Sequence, residues 1–340
     1  MKISSKIDKK NILVTGGYGF IGGNFIRFLR DNFPQYRIVC LDKNGYASNK
    51  QYVEGLCDKE YKFDLVCNKK LDMLFETEDK FDYIFHFAAE SHVDNSIKDP
   101  SIFIQSNVVG TQNLLECFRK ANYGKMVHIS TDEVYGHLGF NDPSFLESTP
   151  INPRSPYAAS KASSDLLCMA YINTFDCNIS ITRCCNNYGP NQHSEKFIPT
   201  IIKSLSKNKK VPIYGEGLNI REWVHVYDHN LAVWVVATKG KPEVYNIGSG
   251  VELTNIELVD KICKIMDKDL DKSAVFVEDR LGHDFRYSID CSKIQEELLY
   301  EPLYTDFDEG ISSGLVKFVE RSPKHVVKVI VAQYKKNEKL

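Results

Sequence analysis

Long apolar runs are missing from this chain: no stretch approaches the roughly 18 residues of a membrane span. The opening Met1-Lys2-Ile3-Ser4-Ser5-Lys6 is also too polar to form the core of a secretory signal. Both absences predict a cytoplasmic protein without membrane contacts. An excess of one charge is missing too. Forty-three Lys and Arg against 45 Asp and Glu leave a net charge of -2, so no general positive field gathers nucleic acid or anionic lipid. A small polyanion would need a local cluster of donors. The ten cysteines include no CxxC pair, and the nearest neighbours, Cys184 and Cys185, lie in a strand-like run. Free core thiols are therefore expected, with neither a metal site nor a disulfide framework. Repeats and low-complexity tracts are absent as well.

At 340 residues, with 43% apolar content, the chain can bury a large core. That length suits two domains or one α/β domain with an added lobe. Apolar runs predict strands at Asn11 to Thr15, Arg37 to Asp42, Phe63 to Val66, Tyr83 to Phe87, Met126 to Ser130 and Ile179 to Arg183. Helical patterns fall between them, through Phe25, Ile26 and Leu29, over Ile102 to Lys120 and over Tyr157 to Phe175. Strands alternating with helices imply an α/β fold, a Rossmann-type, doubly wound parallel sheet spanning 1–185. After about Asn186 the elements shorten around Gly189-Pro190, Pro199, Pro212 and Gly215-Glu216-Gly217, with helical runs at His229 to Thr238 and Asn255 to Met266. This predicts a smaller mixed α/β substrate lobe over 186–320, followed by a tail, 321–340.

Gly16, Gly19 and Gly22 form a GxxGxxG turn between the first strand and the first helix. Glycines there let a pyrophosphate approach the backbone, and the helix N-terminus supplies unpaired amides and a favourable dipole. Asp42 ends the second strand, 20 residues after Gly22, where a carboxylate can accept from ribose hydroxyls. The same carboxylate repels a 2′-phosphate, so NAD is expected over NADP. Asp64 is a candidate acceptor for the adenine amino group or an exposed strand-end carboxylate.

Tyr157 and Lys161 are spaced YxxxK, one helical turn apart, so an ammonium shares a face with a phenol. A free tyrosine titrates near pH 10; as a base at neutral pH it needs its anion stabilised, by Lys161 and by the positive nicotinamide ring. Thr131 follows an apolar strand, where its hydroxyl can bond the reacting oxygen. Asp132 and Glu133 come next: they read either as a helix N-terminus signature or as an acid and a base at the ligand-binding edge of the sheet.

The runs FHFAAESHVDNSI (85 to 97), STDEVYG (130 to 136), SPYAASKASSD (155 to 165), RCCNNYGPNQHSEKFIP (183 to 199), PIYGEG (212 to 217) and DRLGHDFRY (279 to 287) closely resemble the nucleotide-sugar 4,6-dehydratases, which are extended short-chain dehydrogenases/reductases. The resemblance spans roughly residues 10 to 315 and is strongest to the branch acting on dTDP-glucose. It implies that Tyr157 is the base that helps oxidise the sugar C4 hydroxyl while NAD takes the hydride. Glu133 then removes the C5 proton, Asp132 protonates the departing C6 hydroxyl, and hydride returns to C6. Two carboxyls in opposite protonation states are what such a step needs.

The resemblance also implies NAD contacts at Phe20, Ile21, Asp42, Lys43, Asn44, Gly45, Asp64, Leu65, Phe87, Ala88, Ala89, Ser106 and Asn187. Sugar and nucleotide contacts fall to Ser91, Thr131, Asn186, Lys196, Phe197, Pro212, Ile213, Tyr214, Arg221, Asn255, Arg280 and His283. Arg221 and Arg280 suit a diphosphate because a planar guanidinium donates two aligned hydrogen bonds. Family members are commonly dimeric through helices such as Ile102 to Lys120 and Tyr157 to Phe175. The chain departs from the family at Asn95, where an arginine is usual, at Cys185, at His193-Ser194, which replace an aromatic residue and a proline, and at KFDL, where a glycine usually precedes Asp64. UDP-glucose stays open as substrate. A 4-epimerase would share the turn, Asp42, Thr131 and the Tyr157/Lys161 pair without needing Asp132 and Glu133, and a silent NAD-binding regulator would need none of the four catalytic groups.

Overall fold

The computed structural model describes residues 9–279 and 283–311. Seven strands form its main sheet: β1 (Asn11–Thr15), β2 (Arg37–Asp42), β3 (Lys59–Lys62), β4 (Tyr83–His86), β5 (Lys125–Thr131), β6 (Ile179–Cys184) and β10 (Val244–Ile247). Their order is β10-β6-β5-β4-β1-β2-β3, and every pairing is parallel. The order reverses at β1 and β4, which opens a crevice at their C-terminal ends. A parallel sheet is covered on both faces, so its central strands read as continuous apolar runs. Ile12, Leu13 and Val14 are fully buried, as are Met126 and Val127.

One face packs against the helices Phe20–Asn32 and Val226–Lys239, through Phe25, Phe28, Leu231 and Trp234. The other packs against Asn68–Thr77, Gly110–Ala121 and Pro156–Phe175, through Leu71, Leu114 and Cys168. Helix Val226–Lys239 and strand β10 lie beyond Asn186 in the chain, yet both complete the first half of the molecule.

The third strand differs from the sequence expectation. Lys59–Lys62 pairs with β2, whereas Phe63 to Val66 forms the connection that follows. β3 is the sheet edge, where two lysines are compatible with solvent and discourage further pairing. The single helix expected over Ile102 to Lys120 is also interrupted. Pro100–Phe103 is α-helical, Ile104–Val109 winds as a π-helix, and Gly110–Ala121 resumes the α-helix.

Smaller sheets build the remaining lobe. β9 (Ile220–His225) pairs antiparallel with β11 (Glu252–Thr254) and parallel with β7 (Asn186–Tyr188); β8 (Val211–Tyr214) pairs parallel with β12 (Ala274–Val277). Ile201, Val211, Ile213, Leu258 and Ile262 make a separate core there. The ten cysteines are free. Among the described residues no helix is long and apolar enough to cross a membrane. Arg280 and the 321–340 tail lie outside the described residues.

Candidate active site

A cavity of about 550 Å³ runs from the glycine turn across the sheet edge into the smaller lobe. The turn is shaped by close approach. Gly16 has φ +71°, and a Cβ on it would sit 2.6 Å from the Ala88 nitrogen; a Cβ on Gly22 would lie 2.4 Å from the Gly16 carbonyl oxygen. Both positions therefore demand glycine. Asp42 accepts from the backbone N–H of Tyr18 (3.0 Å) and Asn44 (2.6 Å) and from the Ser48 hydroxyl (3.0 Å). The carboxylate thus fixes two loops at the rim of the cavity it lines.

Gly19, Phe20, Ile21, Lys43, Gly45, Asp64, Leu65, Phe87, Ala88, Ala89, Ser106 and Asn187 line the same wall. Lys43 ties several of them together: its ammonium donates to Ser106 Oγ (2.8 Å) and pairs with Glu90 (2.6 Å) and Asp64 (3.7 Å). Asn44 is not in the wall; its φ of +60° and its bond to Asp42 shape the loop from behind.

Ser155 caps the helix Pro156–Phe175 by accepting from the Ala158 N–H (3.0 Å), and Pro156 occupies the first turn, where its missing donor costs nothing. This helix brings Tyr157 and Lys161 to the cavity, both nearly buried. Lys161 Nζ donates to the Ile129 carbonyl (2.7 Å) at the end of β5. Burial pulls the Lys161 ammonium below its ordinary value, with Asp165 opposing. Burial, followed by the Glu133 charge, pushes the Tyr157 phenol well above its own. Within the chain desolvation and Glu133 dominate the phenol, and the expected stabilisation of its anion by Lys161 and the nicotinamide ring together is a property of the cofactor-bound site.

Asp132 and Glu133 open a capped turn, as the helix N-terminus reading expects, and Glu133 also lines the cavity. Asp132–Tyr135 is a 3₁₀ turn, and Thr131 caps it by accepting from the Glu133 N–H (3.2 Å) while donating to Asp132 Oδ1 (3.0 Å). Glu133 is half-buried and lines the cavity. Asp132 is 1% exposed, lies just behind that wall, and its Oδ2 has no partner among the described residues. Burial, then the Glu133 charge, raises its carboxyl well above the usual range, which favours the protonated form.

Ser91, Asn186, Lys196, Phe197, Pro212, Tyr214, Arg221, Asn255 and His283 line the far end. The guanidinium of Arg221 lies 4.5 Å from the centre of the Tyr287 ring and donates to the carbonyls of Ile220 (2.7 Å) and Asp284 (2.9 Å). Ile213 does not reach the cavity; it is fully buried in the core of this lobe because its side alternates with Pro212 and Tyr214 along β8.

Several wall residues escaped the sequence reading. Tyr46, Glu90, His92, Glu195, Trp223 and Tyr287 all line the cavity, as does His193, which the sequence marked only as a departure from the family pattern. Asn107, in the π-helical turn, accepts from the Glu90 N–H (2.8 Å) and donates to Ser160 Oγ (2.8 Å), stitching the loop after β4 to the Tyr157 helix. Its only sequence signal is its place between Ser106 and Gly110, and the π-turn that aims it is not legible from periodicity.

The parallel sheet, glycine turn and Tyr/Lys helix define a dinucleotide-dependent enzyme of the short-chain dehydrogenase/reductase class. Within that class the chain belongs to the GDP-mannose 4,6 dehydratase family, whose model matches residues 13–313. It is 42% identical to a dTDP-glucose 4,6-dehydratase of Mycolicibacterium smegmatis over 308 residues, covering 89% of this chain and 92% of that protein. The crystal structure of DesIV, a dTDP-glucose 4,6-dehydratase from Streptomyces venezuelae with NAD and TYD bound, superposes with a TM-score of 0.84 at 43% identity, covering 90% and 96% of the two chains. A Thermotoga maritima UDP-glucose 4-epimerase has the same TM-score, 0.84, but only 27% identity, over 91% and 98%. The fold is thus shared by both reactions, and residues at the site must separate them.

Proposed function

We propose that the protein is a hydro-lyase that dehydrates dTDP-glucose to dTDP-4-keto-6-deoxyglucose, with NAD regenerated in each turnover. One observation carries this reading: Glu133 and Tyr157 line the cavity together, and the buried Asp132 lies directly behind that wall next to Glu133. A 4-epimerase has no use for that acid pair. The residues also fit the cofactor. Gly16 and Gly22 leave a cradle a Cβ would fill, and Ser130 Oγ and Asn187 Oδ1, buried in wall residues, have no partner among the described residues. Asp42, Lys43, Ser106 and the glycine turn would hold NAD, which when bound takes a hydride from sugar C4 and returns one to C6.

Tyr157 accepts the C4 hydroxyl proton, with Thr131 orienting that oxygen. Lys161, one helical turn from Tyr157, would hold the phenolate together with the positive charge of a bound nicotinamide. The C4 ketone acidifies the C5 proton, which Glu133 removes from its half-buried position. Asp132, kept protonated, gives its proton to the departing C6 hydroxyl. Ser91, Asn186, Lys196, Phe197, Pro212, Tyr214, Asn255 and His283 enclose the nucleotide sugar, and Arg221 faces its diphosphate. Incubation with dTDP-glucose and, separately, UDP-glucose tests this by mass. A product lighter by one water, formed faster from dTDP-glucose, is expected; an isomer of unchanged mass contradicts it.

A homodimer in the cytoplasm completes the proposal. Ile97, Ile102, Ile104, Leu166 and Phe175 are exposed on or beside the helices Gly110–Ala121 and Pro156–Phe175. Exposed apolar side chains grouped there suit a partner surface. Light scattering is expected to give two chains per particle.

A further inference from the structure

Asn95 and His193 meet at one place, around Tyr46. Asn95 Nδ2 donates to the Tyr46 hydroxyl (3.3 Å), and the Tyr46 ring meets the His193 imidazole edge-on at 5.9 Å. His193 Nδ1 lies 3.7 Å from Glu195 Oε2, and His92 Nε2 lies 3.8 Å from that same oxygen. Beside them, Lys196 Nζ donates to the Ser91 carbonyl (2.9 Å). Tyr46 follows β2 and His92 follows β4, whereas His193 and Glu195 precede the helix Phe197–Ser206 of the smaller lobe. The contacts therefore cross the cavity from the dinucleotide half to the sugar half.

We propose that His92 and His193, converging on Glu195, form a proton-dependent clasp that positions the 191–197 segment over bound sugar nucleotide. At 3.7 and 3.8 Å the imidazoles are at ion-pair distance from the carboxylate and beyond a good hydrogen bond, so the attraction requires a protonated ring. An aromatic residue at 193 would keep the Tyr46 contact without the switch. The other charged groups facing the cluster are Glu90, Asp94 and Lys196. Burial and, after it, Lys196 pull His92 below its ordinary value, so His92 engages toward the acid end of the histidine range. The clasp is strongest when His92 is charged and weakens as pH rises and that ring deprotonates.

The idea rests on the sugar-nucleotide reading, and its test is arranged to separate the two. Steady-state kinetics of the NAD-loaded protein with dTDP-glucose are compared between about pH 6 and about pH 8. Half-exposed ion pairs are weak, so the KM is expected to rise only about two- to fivefold with pH. His193→Phe and Glu195→Gln should each flatten that rise and leave the pH profile of kcat in place. A KM slope that survives Glu195→Gln means that the imidazoles attract the diphosphate directly, and overturns the clasp. Absence of turnover would sink the assigned reaction only. Amide exchange of 191–197, corrected for intrinsic rates, then decides: greater protection at the lower pH in the parent but not in Glu195→Gln supports the clasp, and equal protection refutes it.

Discussion

The two ends of the cavity are built by different means. At the glycine-turn end the wall is shaped by backbone: Gly16 and Gly22 are required by contacts of 2.6 and 2.4 Å, and Asp42 orders the loops around it. At the far end, side chains projecting from short strands line the cavity, with Arg221 laid over Tyr287 and pinned by three carbonyls. Backbone recognition tolerates almost no substitution but discriminates little among dinucleotide enzymes. Side-chain recognition is replaceable residue by residue, which lets one fold host dehydratases and epimerases.

Substitutions can break that contrast, beginning at the junction of the two ends. Tyr157→Phe removes the proton acceptor, and kcat is expected to fall by about a hundred- to ten-thousand-fold with NAD binding retained. At the backbone end, Gly22→Ala drives a methyl against the Gly16 carbonyl, so NAD affinity should drop at least about tenfold and stability by about 1–3 kcal/mol, measured by titration calorimetry and urea unfolding. Arg221→Lys keeps the charge but loses the fork; the KM is expected to rise about tenfold while kcat changes much less.

The smallest effect lies away from the cavity, at the β3 edge. Glu78 is bonded by Lys59 (2.5 Å), Tyr61 (2.5 Å) and Arg37 (2.6 Å). Burial works to raise this carboxyl, but the three donors prevail and hold it down at about 2. A depressed folded value stabilises the protein above the unfolded carboxylate's range and is lost as pH falls from about 4.5 toward 2. Glu78→Gln should cost about 1–3 kcal/mol at neutral pH and soften acid unfolding, with little change in turnover.

The same contrast explains what was legible in the sequence. Gly16, Gly22, Asp42 and the Tyr157/Lys161 spacing are local patterns whose geometry follows from one turn or one helix. β1, β2, β5 and β6 were legible because central parallel strands are apolar throughout. β3 was misplaced because an edge strand can be polar, and Lys59-Glu60-Tyr61-Lys62 has no run to mark it. Asn107 and the Tyr46, His92 and Glu195 cluster were missed because each is assembled from segments far apart in sequence. The return of β10 to the first sheet is a pairing of the same kind: Val244 meets Ile181 across more than sixty residues. Ile213 was placed in the site by resemblance, whereas strand alternation directs it into the core.

The central claim is that Glu133 removes the C5 proton after Tyr157 has served the C4 oxidation. Glu133→Gln mixed with dTDP-glucose tests it through the near-ultraviolet absorbance of reduced nicotinamide. The account predicts that reduced cofactor accumulates on the enzyme while almost no dehydrated product forms. Product formation at the parent rate, with no such build-up, would contradict it.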